Sequence, residues 1–369
     1  MSDQHIGVRR RPSRVPVRRI VPLVAGLAAV AWALALGEPS HNPDTAPSPV
    51  AVVPTWTGPP TVDIPGVLAD GAAYAPRLFV TPEASVGVAT GADGSVRLIL
   101  ARTPGSFTQL RDVPANALIS GFAVDGDALV WMETTAGAGG GPVTTLWRAS
   151  VAGTTPPTKV TTNTGQTNFD GLPATVIVAD GRVTWTALLT GRTVRTEVRS
   201  VPLEGGQVGA TRVDGELLLT NPPWAMSLPG GLGTPVTLRN ITTGEEVTFA
   251  TAPDESAVCD PSWCRVAVAG GSGLVGVDLV RPDGTERRRI AGPEATPTIG
   301  EPVLLGRFVP LATERPDGLG LSLYDLTTGE TELLAPRAGN VGGHGGILWW
   351  STGVGTELTW HALDLSRLP

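Results

Sequence analysis

The chain holds 369 residues, with 27 basic and 34 acidic side chains and a formal net charge of −7 at pH 7. Gly (47) and Pro (34) are abundant, and charged residues make up only 17%. This composition favours an all-β array of short strands and turns over α/β, and makes a polyanion an unfavourable ligand.

Residues 1–37 carry six arginines and one aspartate, and the rest of the chain is strongly acidic. Such a balance repels nucleic acid and anionic headgroups, so neither is expected as a partner. The basic head, 1–19, is read as cytoplasmic. Residues 20–37 are uncharged and mostly apolar, close to the ~20 residues a membrane-spanning helix needs. Arg9, Arg10, Arg11, Arg14, Arg18 and Arg19 precede this stretch. By the positive-inside rule they hold the N-terminus in the cytoplasm and send the rest outside. A cleaved export signal is the alternative, because Ala31-Trp32-Ala33 and Ala33-Leu34-Ala35 fit a small-x-small cleavage pattern. Residues 38–59 are rich in Pro, Ser, Ala and Thr, which reads as an extended linker.

From residue 60 onward, Gly turns centred near Gly105, Gly153, Gly206, Gly244, Gly284 and Gly329 recur. Their period, roughly 40–50 residues, is that of a β-propeller built of four-stranded blades. Leu238-Arg239-Asn240-Ile241-Thr242-Thr243-Gly244-Glu245 returns as Leu323-Tyr324-Asp325-Leu326-Thr327-Thr328-Gly329-Glu330, and Pro282-Asp283-Gly284 fills the slot between. These are hairpins between the third and fourth strands, c and d, of each blade. Asp125-Gly126, Asp180-Gly181, Asn221-Pro222-Pro223 and Asp260-Pro261-Ser262 mark turns between strands a and b. The aromatic that follows each, Trp131, Trp185, Trp224 or Trp263, is read as filler between blades rather than as a stacking platform for sugars. The c strands count to seven, over 96–102, 146–151, 197–203, 236–241, 274–280, 321–326 and 358–365, with six or eight blades as alternatives because 60–95 has the weakest pattern. The seventh blade has no room for its strand d. Thr61-Val62-Asp63-Ile64-Pro65 lies alone ahead of blade one and is expected to supply it, hiding two exposed sheet edges.

Cys259 and Cys264 flank the Asp260-Pro261-Ser262 turn and are the chain's only cysteines. In an exported domain they are expected to form a structural disulfide across that hairpin.

No nucleophile elbow, His-Glu-x-x-His, P-loop or EF-hand pattern occurs. Gly139-Gly140-Gly141 and Gly270-Gly271 read as b–c loops. His344, within Gly342-Gly343-His344-Gly345-Gly346, is either an exposed acid, base or ligand or simply a turn residue at the rim of blade seven, which is the preferred reading. Asp125, Asp180, Asp214 and Asp283 occupy turn slots, while Asp214, Glu216 and Glu255 fall close to a strands. No catalytic, cofactor-binding or metal-binding residue is assigned, and no cofactor is expected.

The hairpin motifs and Pro282-Asp283-Gly284-Thr285 make residues 60–369 resemble the membrane-anchored, TolB-like or WD40-like β-propeller proteins of actinobacteria. The resemblance implies a binding platform. The expectation is therefore a monomeric, non-enzymatic binding or scaffold module outside the membrane, with a protein or small-molecule partner at the propeller face. The alternative is an exported hydrolase or lyase with carboxylates in the propeller funnel.

Overall fold

Short alternating runs of Val, Leu, Thr and Ala, punctuated by glycine turns, can bury their apolar faces only by stacking as sheets. In the computed structural model they form four-stranded antiparallel sheets in which consecutive strands pair in order. Residues 58–369 are described, except 170, 171, 174, 190, 192, 299, 316 and 317. The apolar 20–37 stretch and nearly all of the linker lie outside the described residues.

The result is a seven-bladed propeller. Blade one runs from strand a at Ala73–Thr81 to strand d at Ser106–Val113. Blade two spans Leu118–Asp125 to Thr158–Thr161, and blade three Val176–Ala179 to Gly209–Asp214. Blade four spans Leu217–Leu219 to Glu246–Phe249, and blade five Glu255–Cys259 to Arg288–Ala291. Blade six spans Ala295–Pro297 to Thr331–Ala335. A two-stranded hairpin, Asn168–Phe169 with Leu172–Pro173, is inserted between blades two and three.

Blade seven contributes only Val341–His344, Ile347–Thr352 and Thr359–Asp364 from the end of the chain. Its strand d is Val62–Pro65, paired antiparallel from Val62 opposite Ala362 to Pro65 opposite Thr359. The closing strand expected from the sequence is therefore present. Gly66 extends the junction, its N–H donating to Leu358 O at 2.8 Å and its carbonyl accepting from Tyr74 N–H at 2.8 Å.

The repeated hairpins owe their shape to the same bonds. Asn240 Oδ1 accepts the N–H of Thr242 and Thr243, and Gly244 N–H donates to Asn240 O. Asp325 and Gly329 repeat the pattern. Gly244 and Gly329 sit at φ +78° and +75°, where a side chain would be strained.

Each seam between blades holds its own apolar cluster. Trp131 fills the seam between blades one and two, and Trp185 that between two and three. Both are fully buried, in keeping with the filler reading. Cys259 and Cys264 face each other across the blade-five turn as a disulfide with a Cα–Cα distance of 4.0 Å.

Candidate acid–base site at one end of the channel

Strand a is the innermost strand of every blade, so its last residue and the following a–b turn stand beside one end of the central channel. Three ionisable side chains from consecutive blades come to this end. Asp260 opens the a–b turn of blade five. Glu301 lies in the long a–b loop of blade six, and His344 ends strand a of blade seven.

His344 Nδ1 lies 2.9 Å from Glu301 Oε1, across the gap between two blades. Both side chains are about half exposed, so solvent or a substrate can reach them. The hydrogen bond that His344 donates to Glu301 raises the His344 pKa above its ordinary value; partial burial opposes the shift and the carboxylate's charge reinforces it.

Glu301 is positioned by a buried arginine. Arg265, on strand b of blade five, donates to Thr298 O at 2.6 Å and to Glu301 O at 3.2 Å. Burial pushes the guanidinium down to about 10, so it remains charged at neutral pH. The glycines around His344 approach protein rather than ligand. A Cβ at Gly343 would meet Leu304 at 2.7 Å, and one at Gly346 would meet Leu305 at 3.0 Å. The loop of blade six thus lies directly on blade seven, and this packing aligns Glu301 with His344.

Asp260 Oδ1 accepts the N–H of Ser262 at 2.6 Å and of Trp263 at 2.8 Å. Burial nevertheless raises its pKa against those two bonds, and the charge of Glu301 raises it further. Asp260 and His344 are thus both biased towards holding a proton, beside a carboxylate.

The remaining acids singled out in the sequence do other work. Glu255, at the start of strand a in blade five, is buried and receives Arg287 and the Ala252 N–H. Asp278 is buried beside it and receives Arg287 and Arg289. Burial alone would push Glu255 up, but the Arg287 hydrogen bond, the Ala252 amide and the Arg287 charge outweigh it and hold the carboxyl low. That cluster is a neutralised ion-pair network. Asp283 binds its own turn through Thr285, and Asp125, Asp180 and Asp214 are exposed turn residues. Among the described residues no group of three or more His, Cys, Asp or Glu side chains is placed to hold a metal ion.

His344 was visible in the sequence, whereas Glu301 was not. Glu301 sits in a loop without a repeat signature, and only the docking of that loop on blade seven reveals it.

No family model and no curated protein matches the sequence. Solved structures do match the fold. A structure of prolyl endopeptidases superposes with a TM-score of 0.56 at 14% identity, covering 80% of this chain and 48% of that one. The oligogalacturonate lyase of Vibrio parahaemolyticus superposes with a TM-score of 0.53 at 9% identity, covering 82% and 97%. TolB from Acinetobacter baumannii is also matched, with a TM-score of 0.41 at 16% identity, covering 70% and 65%. The chain spans about half the length of the peptidase structures it matches. At such identities the likeness establishes the propeller fold.

The expectation of a non-enzymatic scaffold is corrected at this point. The solved neighbours are mostly enzymes, peptidases and oligogalacturonate lyases. The channel end carries an accessible imidazole–carboxylate pair in place of a bare rim turn.

Proposed function

We propose that the propeller is a hydrolase or lyase whose acid–base centre is His344 with Glu301 at the a–b end of the channel. The observation that carries this reading is the 2.9 Å contact between His344 Nδ1 and Glu301 Oε1. An ionised carboxylate only accepts hydrogen bonds, so Nδ1 carries the ring proton of the neutral imidazole and Nε2 is the basic nitrogen. Nε2 takes a proton from water in a hydrolysis, or from an acidic C–H in an elimination. Glu301 stabilises the imidazolium that forms. Its raised pKa suits the ring to proton transfer near neutral pH. Asp260, which opens the a–b turn of blade five, is the second carboxyl at this end of the channel.

The acidic balance of the chain favours neutral or cationic substrates over polyanions. The six arginines ahead of the apolar 20–37 stretch support membrane anchoring or export, with the propeller outside.

The test uses the purified full chain with two probes, fluorogenic peptides bearing neutral or basic residues for hydrolysis and uncharged, methyl-esterified oligogalacturonate for elimination. His344→Gln and Glu301→Gln should each lower turnover by roughly 100- to 10,000-fold while the thermal melt holds. Turnover of neither probe, or wild-type rates in both variants, would sink the reading.

A further inference from the structure

We infer a second reactive site, at the outer seam between blades six and seven, where Thr352 is a nucleophile towards small acyl esters. Thr352 ends strand b of blade seven, His361 lies in its strand c, and Asp63 lies in the closing strand. In register, His361 stands directly between Asp63 and Trp350, with Thr352 two residues beyond Trp350. That register sets a hydroxyl, an imidazole and a carboxylate in a row. Thr352 Oγ1 lies 2.7 Å from His361 Nε2, and His361 Nδ1 lies 2.7 Å from Asp63 Oδ1.

The polarity of the row follows from what each group can do. The Asp63 carboxylate only accepts, so Nδ1 carries the ring proton and Nε2 accepts the hydroxyl proton of Thr352. This is the arrangement in which a base activates a nucleophile and a carboxylate orients the base. The imidazole is only 17% exposed, with the Trp350 ring 5.5 Å away at a tilt of 32°. The row opens on a cleft of about 670 Å³ lined by Pro60, Leu334, Pro336, Trp350 and Gly353 among others. Its volume suits a small molecule, and its largely apolar wall suits an acyl group. The closing strand is already held by its backbone ladder, so ring closure does not require the Thr352–His361 bond.

In the first step Thr352 Oγ bonds to the ester carbonyl carbon while its proton passes to His361 Nε2. Collapse of the tetrahedral intermediate breaks the ester C–O bond, and the leaving alkoxide takes that proton. Water then attacks the acyl-threonine. Its proton passes through His361 to the Thr352 oxygen, and a carboxylic acid is released.

The test incubates the full chain with p-nitrophenyl acetate and locates the adduct by peptide mass. An acetyl group is expected on Thr352 and not on exposed hydroxyls such as Thr243 or Ser366. Thr352→Val, which keeps the side-chain shape, should give no adduct. His361→Gln should slow acylation roughly 100-fold or more, with folding checked by thermal melt. If His361→Gln does not fold, Asp63→Asn decides. It should lower the acylation rate at saturating ester without raising KM, a split that a purely structural role would not give. No adduct on Thr352 of the folded wild-type chain, or a rate unchanged by these substitutions, overturns the proposal.

Discussion

The seam between blades seven and one is packed very differently from the seam between blades three and four. The closing seam buries Ile64, Tyr74, Phe79, Trp349 and Trp360 in one cluster. The Phe79 and Trp349 rings lie 5.3 Å apart, and Trp360 Nε1 donates to Tyr74 O at 2.9 Å. The other seam buries Val213, Leu217, Leu219 and Ala225 in one cluster and Leu188 in a second, with no aromatic side chain in either. Thr186 and Thr196 are also fully buried there. Thr196 is satisfied by Gly215 O and Leu217 N–H, but the Thr186 hydroxyl has no partner among the described residues. The difference has a physical cause. Blades three and four are joined by a short connection, so keeping them together costs little chain entropy. Blades seven and one are joined through a strand nearly three hundred residues distant, and that closure needs a larger contact energy to hold.

The largest expected effect comes from the closing strand. Deleting 60–66 should abolish the cooperative thermal melt, whereas deleting 40–55 should leave it unchanged; equal melts for the two would erase the contrast between the seams. Next comes a matched pair of truncations. Ile64→Ala should cost about 3–5 kcal/mol and Leu219→Ala nearer 2, because the thinner seam has less packing to lose. Urea denaturation measures both, and a larger loss at Leu219 would reverse the ranking. Reducing the Cys259–Cys264 disulfide, which lies at neither seam, should lower stability by about 2 kcal/mol, since it closes a very short loop. Thr186→Val should raise stability by about 1 kcal/mol, by removing a buried hydroxyl that has no hydrogen bond.

The smallest effects are those of pH. The Glu255 carboxyl is held below its ordinary value of 4.5, so its contribution is complete above that pH. The contribution is lost as pH falls through the lower folded value, and Glu197, held low by Arg199 and Arg212 against its burial, behaves alike. His344 has the opposite sign. Its raised pKa gives stability that is complete below about 6.5 and fades as pH rises through the folded value. Because the ring is half exposed, this effect should show more clearly in the pH–rate profile. There Glu301→Gln should move the acidic limb, which reports deprotonation of the His344 base, down towards 6.5, and an unmoved limb would detach Glu301 from the imidazole.

Much of the fold was legible in the chain because propeller punctuation is local. Asn240, Gly244, Asp325 and Gly329 form their turns from residues within a few positions of one another, so the motif and the structure are the same set of bonds. Cys259 and Cys264 were readable for the same reason. The closing strand was found by elimination, since one blade lacked a strand and one strand lacked a blade. The candidate sites were far less legible. His344 stood out among its glycines but was read as a turn residue at the rim, and only in the structure do Leu304 and Leu305 pack on those glycines and bring Glu301 to the ring.

By itself, then, the sequence determined the turn chemistry, the disulfide and the identity of the closing strand, and favoured the seven blades that the sheets then fixed. Each rests on short-range hydrogen bonding or on counting strands. Only the tertiary structure decided that Glu301 meets His344 across two blades, and that Asp63 meets His361 across 298 positions of chain. Those pairings are set by how neighbouring blades dock and how the ring closes. Both are properties of side-chain volume and sheet register, which no local pattern of residues records.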